Sequence, residues 1–319
     1  MRVVFIGTPE FAVAPLELLV ANRYELVGVY TQPDTVAGRG LSQVQAPVKR
    51  LVLDYGLPVR QPEKLRDKDV ITEIAGLRPD VIVVAAYAQK VPKAVLDIPG
   101  LGCVNIHPSL LPKHRGVSPV AAAILTGDSF TGVSVMLMDE GWDTGPVLSR
   151  AQVPVSVQDT TGSLTDKLSC IGAQLLLDVL PRLAAGTLVP RPQDETQATY
   201  SGLIRKEDGE IDWHVPAVDI WRRVRAYQPW PECYTLWRGK QFKIIEAVPL
   251  DRQADGEVGQ VVALDRKNSV FGVSTGDGTL GVLRVQLEGK RAMPAVEFLR
   301  GQRDWAGMVL PSEQRIKGE

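Results

Sequence analysis

The chain has 319 residues, 45% of them hydrophobic and 23% charged, with a formal net charge of −1 and an isoelectric point of about 6.4. That composition excludes a disordered or collagen-like chain and describes globular material long enough for two domains, each with its own core. It also excludes a globally basic surface, so any nucleic-acid contact has to come from local patches.

Residues 2–6 form a short apolar run that Gly7-Thr8-Pro9 ends, and Pro9 suits the first turn of a helix reaching about Val20. A strand is expected at 25–30. This strand–turn–helix–strand order implies parallel strands and a doubly wound α/β sheet. Residues 31–47 carry Gly, Pro and Ser without periodicity. They exceed the usual connection in such units, which marks a functional or disordered loop. Helices are expected over 48–55 and 69–77, with a short strand over 57–60 between them. Residues 80–86 (DVIVVAA) are the most apolar strand and the expected centre of the sheet, with a turn at 87–92. Strands at 103–107 and 132–138 flank a small-residue helix at 118–126. An extended run at 146–155 precedes an amphipathic helix at 160–185, which Thr160 or Thr161 can cap.

From Gly186 to Glu210 the chain is polar, contains prolines and loses its hydrophobic period. The expected boundaries are a first domain at 1–188, a linker at 189–206 and a second domain at 207–319. The second domain opens with a helix at 216–227 carrying Arg222, Arg223 and Arg225. Short strands follow at 234–237, 242–248, 259–264, 270–274 and 280–287, with Gly276-Asp277-Gly278 as a hairpin turn, then a helix at 294–300. Such strands suggest a small β-barrel of the oligonucleotide-binding kind.

The cysteines, Cys103, Cys170 and Cys233, are far apart and odd in number, which argues against a disulfide framework or a metal cluster and for a reducing compartment. The three histidines are scattered, so no metal dependence is expected. The N-terminal MRVVFIGTPEF lacks the features of a signal peptide, and no apolar run approaches the roughly 18 residues that span a bilayer. A cytoplasmic protein is expected, and nothing in the composition demands more than a monomer.

The chemistry concentrates between Gly102 and Gly145. Asn105 and His107 lie two apart on a strand and so share one face. Asp143 lies in a Gly-rich loop after the 132–138 strand; if the two strands are neighbours, the three groups meet at the end of one sheet. An Asn amide can hold a developing oxyanion, a His can share that task or move a proton, and a carboxylate can orient the His or accept a proton through water. Ser109 and Cys103 lie close by but lack a base–nucleophile arrangement, so direct transfer to an outside nucleophile fits better than a covalent intermediate. Each group also has a plain structural use: Asn105 at a strand end, His107 as a packed polar residue, Asp143 in an Asx-turn.

The segments NIHPSLLPKHRG (105–116) and DEGWDTG (139–145) resemble the signature of formyltransferases that use 10-formyltetrahydrofolate. GTPEFA at 7–12, TQPD with AGRG at 31–40, IDW at 211–213 with VRA and PWP downstream, and GDG with GKRAM near the end extend the match. Over nearly the whole chain it resembles the branch of that family that formylates methionyl-tRNA. The resemblance implies a Rossmann-like formyltransferase domain followed by an OB-like, tRNA-binding domain. It implies one-carbon transfer from 10-formyltetrahydrofolate, as donor co-substrate and without a metal, to the α-amine of methionyl initiator tRNA for translation initiation. No obligate protein partner is implied.

By the same resemblance Asn105, His107 and Asp143 are catalytic: the first two steady the oxyanion, while Asp143 holds His107 and helps remove the amine proton. Ser109, Leu110, Leu111 and Pro112 line the folate site, and Tyr87, Ala88 and Gln89 lie beside the pterin. The loop with Arg39 wedges into the acceptor stem, although Leu41-Ser42 stand where some relatives carry lysines. Lys206, Arg222 and Arg223 are candidate phosphate contacts; solvated helix positions are the plainer reading. Lys113-His114-Arg115 either contacts the folate tail or RNA or forms a solvated turn. Trp213, Trp221, Trp230 and Trp237 fit core or domain-interface positions better than base-stacking platforms. GTPEF lacks the G-x-G-x-x-G pattern, which argues against a nicotinamide cofactor. Two other readings stay open: a formyltransferase or formyl-folate hydrolase acting on a small molecule, and a nucleic-acid-binding protein whose α/β domain has lost activity.

Overall fold

The structure, a computed structural model, describes residues 1–37, 42–251, 256–264, 271–302 and 304–312. The chain divides into two compact units. One comprises residues 1–120, 129–155 and 163–202; the other comprises 121–128, 156–162 and 203–319. Residues 189–202, expected as linker, therefore belong to the first unit.

The first unit contains β1 (Arg2–Gly7), α1 (Val13–Ala21), β2 (Glu25–Tyr30), β3 (Thr35–Ala37), β4 (Ser42–Val44), α2 (Pro47–Asp54), β5 (Val59–Arg60) and α3 (Lys68–Gly76). After these come β6 (Val81–Ala85), α4 (Lys93–Leu96), β7 (Cys103–His107), β8 (Arg115–Gly116), α5 (Pro119–Leu125), β9 (Phe130–Leu137), β10 (Val147–Pro154), α6 (Thr161–Ala184) and β11 (Tyr200–Ser201). α5 and α6 each begin in one unit and end in the other.

The main sheet has the order β10-β9-β7-β6-β1-β2-β5. From β5 to β7 every pairing is parallel. Every residue of β6 and β7 is buried, which is why β6 reads as an unbroken apolar run, broken in β7 only by Asn105 and His107. β9 runs antiparallel to both β7 and β10, so the doubly wound sheet carries a reversed strand near one edge. α6 buries Leu164, Leu168, Ala173, Leu176 and Leu180 at helical spacing. It lies close against β7 and β9 at Gly172, where a Cβ would sit 2.8 Å from Ile106 Cγ2. That contact backs the strand bearing Asn105 and His107.

The long loop at 31–47 holds a two-stranded ribbon, β3 with β4, where no periodic element was expected. Arg39 lies outside the described residues.

The second unit holds α7 (Ala217–Ala226), β12 (Cys233–Trp237), β13 (Lys240–Leu250), β14 (Val261–Ala263), β15 (Phe271–Ser274), β16 (Thr279–Leu287), β17 (Met293–Pro294) and α8 (Ala295–Arg300). Its antiparallel, OB-like sheet has the order β12-β13-β16-β15-β14, with β17 added on β16. The hairpin expected at 276–278 joins β15 to β16, with Ser274 opposite Thr279. Trp213 is fully buried, and Trp237 packs with Phe242, Phe298 and Trp305 in an aromatic core. Of the two expected positions, core or domain interface, Trp230 does not take the first: it is 56% exposed, in the turn between α7 and β12, flanked by Pro229 and Pro231. Trp221 is half-buried and carries the Arg225 guanidinium 4.5 Å from its ring centre.

Among the described residues no helix is long and apolar enough to cross a membrane, and no group of three or more His, Cys, Asp and Glu could hold a metal ion.

Candidate active site

Asn105 and His107 project from the C-terminal half of β7, and both are buried. Their partner arrives by an indirect route. Leu137, the last residue of β9, pairs with Val104, and the Met138 amide bonds to Cys103 O. The loop after β9 therefore leaves beside the start of β7, not its end, and folds back along the face that carries Asn105 and His107. The three groups meet over that face, because β7 and β9 are antiparallel neighbours.

Asp143 sits at the turn of this loop with φ +55°, a left-handed conformation that costs a non-glycine residue about 1–2 kcal/mol. Its carboxylate is held by two donors and faces His107. Oδ2 accepts the Gly116 amide at 2.8 Å and lies 3.6 Å from His107 Nδ1, and Oδ1 accepts Asn105 Nδ2 at 3.4 Å. Asp139 organises the loop's base by accepting Gly141 N at 2.9 Å and Thr144 Oγ1 at 2.7 Å. The Asx-turn role considered for Asp143 thus falls to Asp139.

His107 Nε2 lies 3.1 Å from His114 O. A carbonyl can only accept, so Nε2 bears the proton and Nδ1 of the neutral ring is a bare acceptor facing Asp143. Burial pushes the His107 pKa below the ordinary imidazole value, while the Asp143 charge and the His114 carbonyl oppose that shift. The ring is neutral at physiological pH. A proton that arrives at Nδ1 is stabilised by the carboxylate, which makes the pair a transient proton acceptor. One N–H of the Asn105 amide bonds to Asp143, and the second is available to an incoming oxygen.

The trio opens on a cleft of about 420 Å³ at the C-terminal ends of β1, β2, β6 and β7, where open α/β sheets place ligands. Thr8, Gln32, Ala86, Tyr87, Ala88, Gln89 and Lys90 line one side, with Pro108, Gly116, Val117, Met136, Met138, Trp142 and Asp143 on others. The Tyr87 hydroxyl is buried without a hydrogen-bond partner, and burial raises its pKa. The Gln89 amide is committed to loop 63–65: Oε1 accepts Leu65 N and Nε2 donates to Glu63 O, both at 2.9 Å.

Other expected site residues lie elsewhere. Ser109 and Leu111 are fully buried, and neither they nor Leu110 or Pro112 lines the cleft. Ser134 Oγ donates to Ser109 O at 2.7 Å and accepts Leu111 N at 3.0 Å, so this segment braces the turn after β7. Pro112 borders a separate depression of about 710 Å³ with Arg150 and Arg191. Arg115, read as part of a short basic run, has a fully buried side chain. It donates to Glu195 at 2.7 and 2.8 Å, Gln193 at 3.0 and 3.2 Å and the Tyr200 hydroxyl at 3.2 Å. In the second unit Lys206 is exposed and Arg223 half-buried. Arg222 pairs with Asp219 at 3.2 Å and covers Gly127. Arg225 donates to Asp159 O and Ser156 O.

Sequence reading missed Gly116, Gln193 and Trp142. For Gly116 a signal existed, since it closes the NIHPSLLPKHRG segment. Its φ is +106°, and a Cβ there would lie 2.5 Å from Ser201 O on the paired β11.

Comparison with known proteins matches residues 1–180 to the formyl transferase family and residues 203–303 to the formyl transferase C-terminal domain. A methionyl-tRNA formyltransferase of Dehalococcoides mccartyi is 48% identical over 97% of this chain and 98% of its own length. One from Roseiflexus sp. is 51% identical over 95% of this chain and 93% of its own. Among solved structures, the sugar 3N-formyl transferase WlaRD has a TM-score of 0.65 at 18% identity, over 91% of this chain and 99% of WlaRD. HypX from Aquifex aeolicus in complex with tetrahydrofolic acid has a TM-score of 0.63 at 19% identity, over 98% of this chain and 51% of HypX. At those identities the likeness to the solved structures is one of fold.

Proposed function

The chain belongs to the formyl transferase family, with methionyl-tRNA formyltransferases as full-length relatives, and from that membership we propose how its residues do the chemistry. The reaction moves a formyl group from 10-formyltetrahydrofolate to the α-amino group of methionyl initiator tRNA, for translation initiation. The observation that carries the residue assignment is the meeting of Asn105, His107 and Asp143 at the wall of one cleft. The cleft's volume is within the range of small-ligand sites. Its apolar walls, Tyr87, Met136, Met138 and Trp142, with the unpartnered Tyr87 hydroxyl, suit a flat, partly polar ring system.

The folate donor supplies the formyl carbon as a carbonyl bound to nitrogen. Asn105 donates its second N–H to the formyl oxygen as the methionyl amine attacks and negative charge develops there. The His107–Asp143 pair takes the proton that the attacking nitrogen sheds, directly or through water, at Nδ1. The ring, now cationic, adds its charge to the stabilisation of the oxyanion. The same proton passes to the departing folate nitrogen, so the pair returns to its starting charge and no net proton is consumed. The N–C bond to the methionyl nitrogen forms as the C–N bond to the folate breaks.

We assign residues 1–202 to catalysis, 203–206 to a connector and 207–319 to tRNA binding, with Arg39, Lys206, Arg222 and Arg223 as phosphate contacts. Tyr87, Ala88 and Gln89 border the folate, Gln89 through its backbone. Ser109, Leu110, Leu111 and Pro112 support the donor site from behind. We read the protein as a cytoplasmic monomer. The test is one assay of the purified chain with 10-formyltetrahydrofolate and three acceptors: methionyl initiator tRNA, an amino sugar nucleotide, and water. Transfer to the tRNA alone is expected; folate hydrolysis without transfer overturns the reading.

A further inference from the structure

Gln193 lies outside every motif of the sequence, in a stretch expected to be linker. Its side chain nonetheless makes four hydrogen bonds at the base of the reactive loop. Nε2 donates to Asp143 O and Gly145 O, both at 2.7 Å, and Oε1 accepts from Arg115 Nε at 3.2 Å and Nη2 at 3.0 Å. This amide has one workable orientation. A flip would place its oxygen against two carbonyls and its NH₂ against a guanidinium. Arg115 is itself immobilised, fully buried and bound to Glu195 and Tyr200.

We propose that Gln193 is a positioning residue for formyl transfer, an assignment that rests on the reading above. It pins the backbone of the Asp143 loop while Gly116 N pins the Asp143 carboxylate. The two anchors have a common origin. Arg115 and Gly116 form β8, which pairs with Tyr200–Ser201, so residues 193–201 act on Asp143 through both its carbonyl and its carboxylate. The left-handed φ of Asp143 gives the clamp its purpose. A loop held only by its own ends can relax out of that conformation and swing the carboxylate off His107. Gln193 lines no part of the cleft and acts only through Asp143.

Gln193→Glu separates this role from a merely structural one. The carboxylate still accepts from Arg115 and keeps the buried guanidinium paired, so folding is preserved. It offers nothing to Asp143 O and Gly145 O and faces them with negative charge. The expected result is a fall in kcat of about 10²-fold, the cost of misplacing a reacting group by about an ångström, with KM for both substrates within about threefold of wild type. The acid limb of the pH–rate profile moves to lower pH, because His107 loses a carboxylate that favours its protonation. Wild-type kcat in a folded Gln193→Glu protein overturns the proposal, as does a loss confined to KM. If that variant does not fold, Gln193→Leu carries the same expectations. Wild-type enzyme is assayed in parallel. Failure of wild type to formylate methionyl-tRNA counts against the functional reading. The variant-to-wild-type ratio is then taken from 10-formyltetrahydrofolate hydrolysis at the same trio.

Discussion

Replacing Gly116 with alanine tests whether β8 sets the position of Asp143. The new Cβ would lie 2.5 Å from Ser201 O, and the backbone φ of +106° is one that side chains rarely adopt. Relieving the overlap requires β8 and β11 to part by about 1 Å, and the conformation itself costs an alanine at least about 1–2 kcal/mol. Either adjustment draws Gly116 N away from Asp143 Oδ2, now 2.8 Å distant, and a hydrogen bond to a charged acceptor is worth about 1.5–3 kcal/mol. The summed loss of stability is about 2.5–5 kcal/mol, and the displacement of the carboxylate costs about 10²-fold in rate. Single-turnover formyl transfer with both substrates saturating, paired with thermal unfolding, measures the two effects separately. A variant whose unfolding temperature falls but whose transfer rate stays within about threefold of wild type would refute the claim that this amide holds Asp143 in place.

Two further expectations concern titration. His107 has a pKa depressed by burial, so between its folded value and about 6.5 the unfolded chain binds the extra proton. The stability this contributes is present above that upper value and lost as pH falls through the folded value. Denaturant unfolding of wild type at pH 7.5 and 5.5 should accordingly show a steeper loss than the same pair of measurements on His107→Gln, and equal slopes would contradict it. The rate should fall on the acid side with a midpoint below the ordinary imidazole value, since the working form of the ring is neutral. Burial raises the Cys103 and Cys233 thiols to about 12, whereas Cys170 is exposed on α6. Iodoacetamide at pH 8 should modify Cys170 alone in the native protein; rapid labelling of two or three thiols would show the two buried sites to be open.

The parallel part of the sheet was legible because its strands are buried on both faces, and that condition writes continuous apolar runs such as VIVVA. The direction of β9 was not legible. Its apolar residues serve equally well in a parallel or an antiparallel strand, and only pairing with β7 decides. Asn105 and His107 could be placed on one face from their spacing, and the Gly-rich setting of Asp143 marked its loop. The route by which Asp143 reaches them depends on strand direction and so could not be read from the spacing. Arg115 resembles a solvated cation because its neighbours are Lys113 and His114. It is buried because Gln193, Glu195 and Tyr200, 78 to 85 residues further on, complete its shell. Gln193 offered no local signal at all, since a glutamine in a polar, Pro-containing stretch is ordinary. Ser109 and Leu111 stand in the recognised motif yet act as buried support, which shows that motif membership does not by itself mean contact with the cleft.

The most direct test of the central claim is the single-turnover rate of formyl transfer to methionyl initiator tRNA by wild type and Asp143→Asn. The substitution keeps the shape of the side chain and an oxygen for Gly116 N, but removes the charge that stabilises a proton on His107. Wild type should formylate the tRNA, and the variant should be slower by about 10² to 10⁴-fold, the range spanned by general acid–base catalysis, with its unfolding temperature nearly unchanged. A variant that transfers formyl at close to the wild-type rate would contradict the assignment of Asn105, His107 and Asp143 as the groups that do the chemistry.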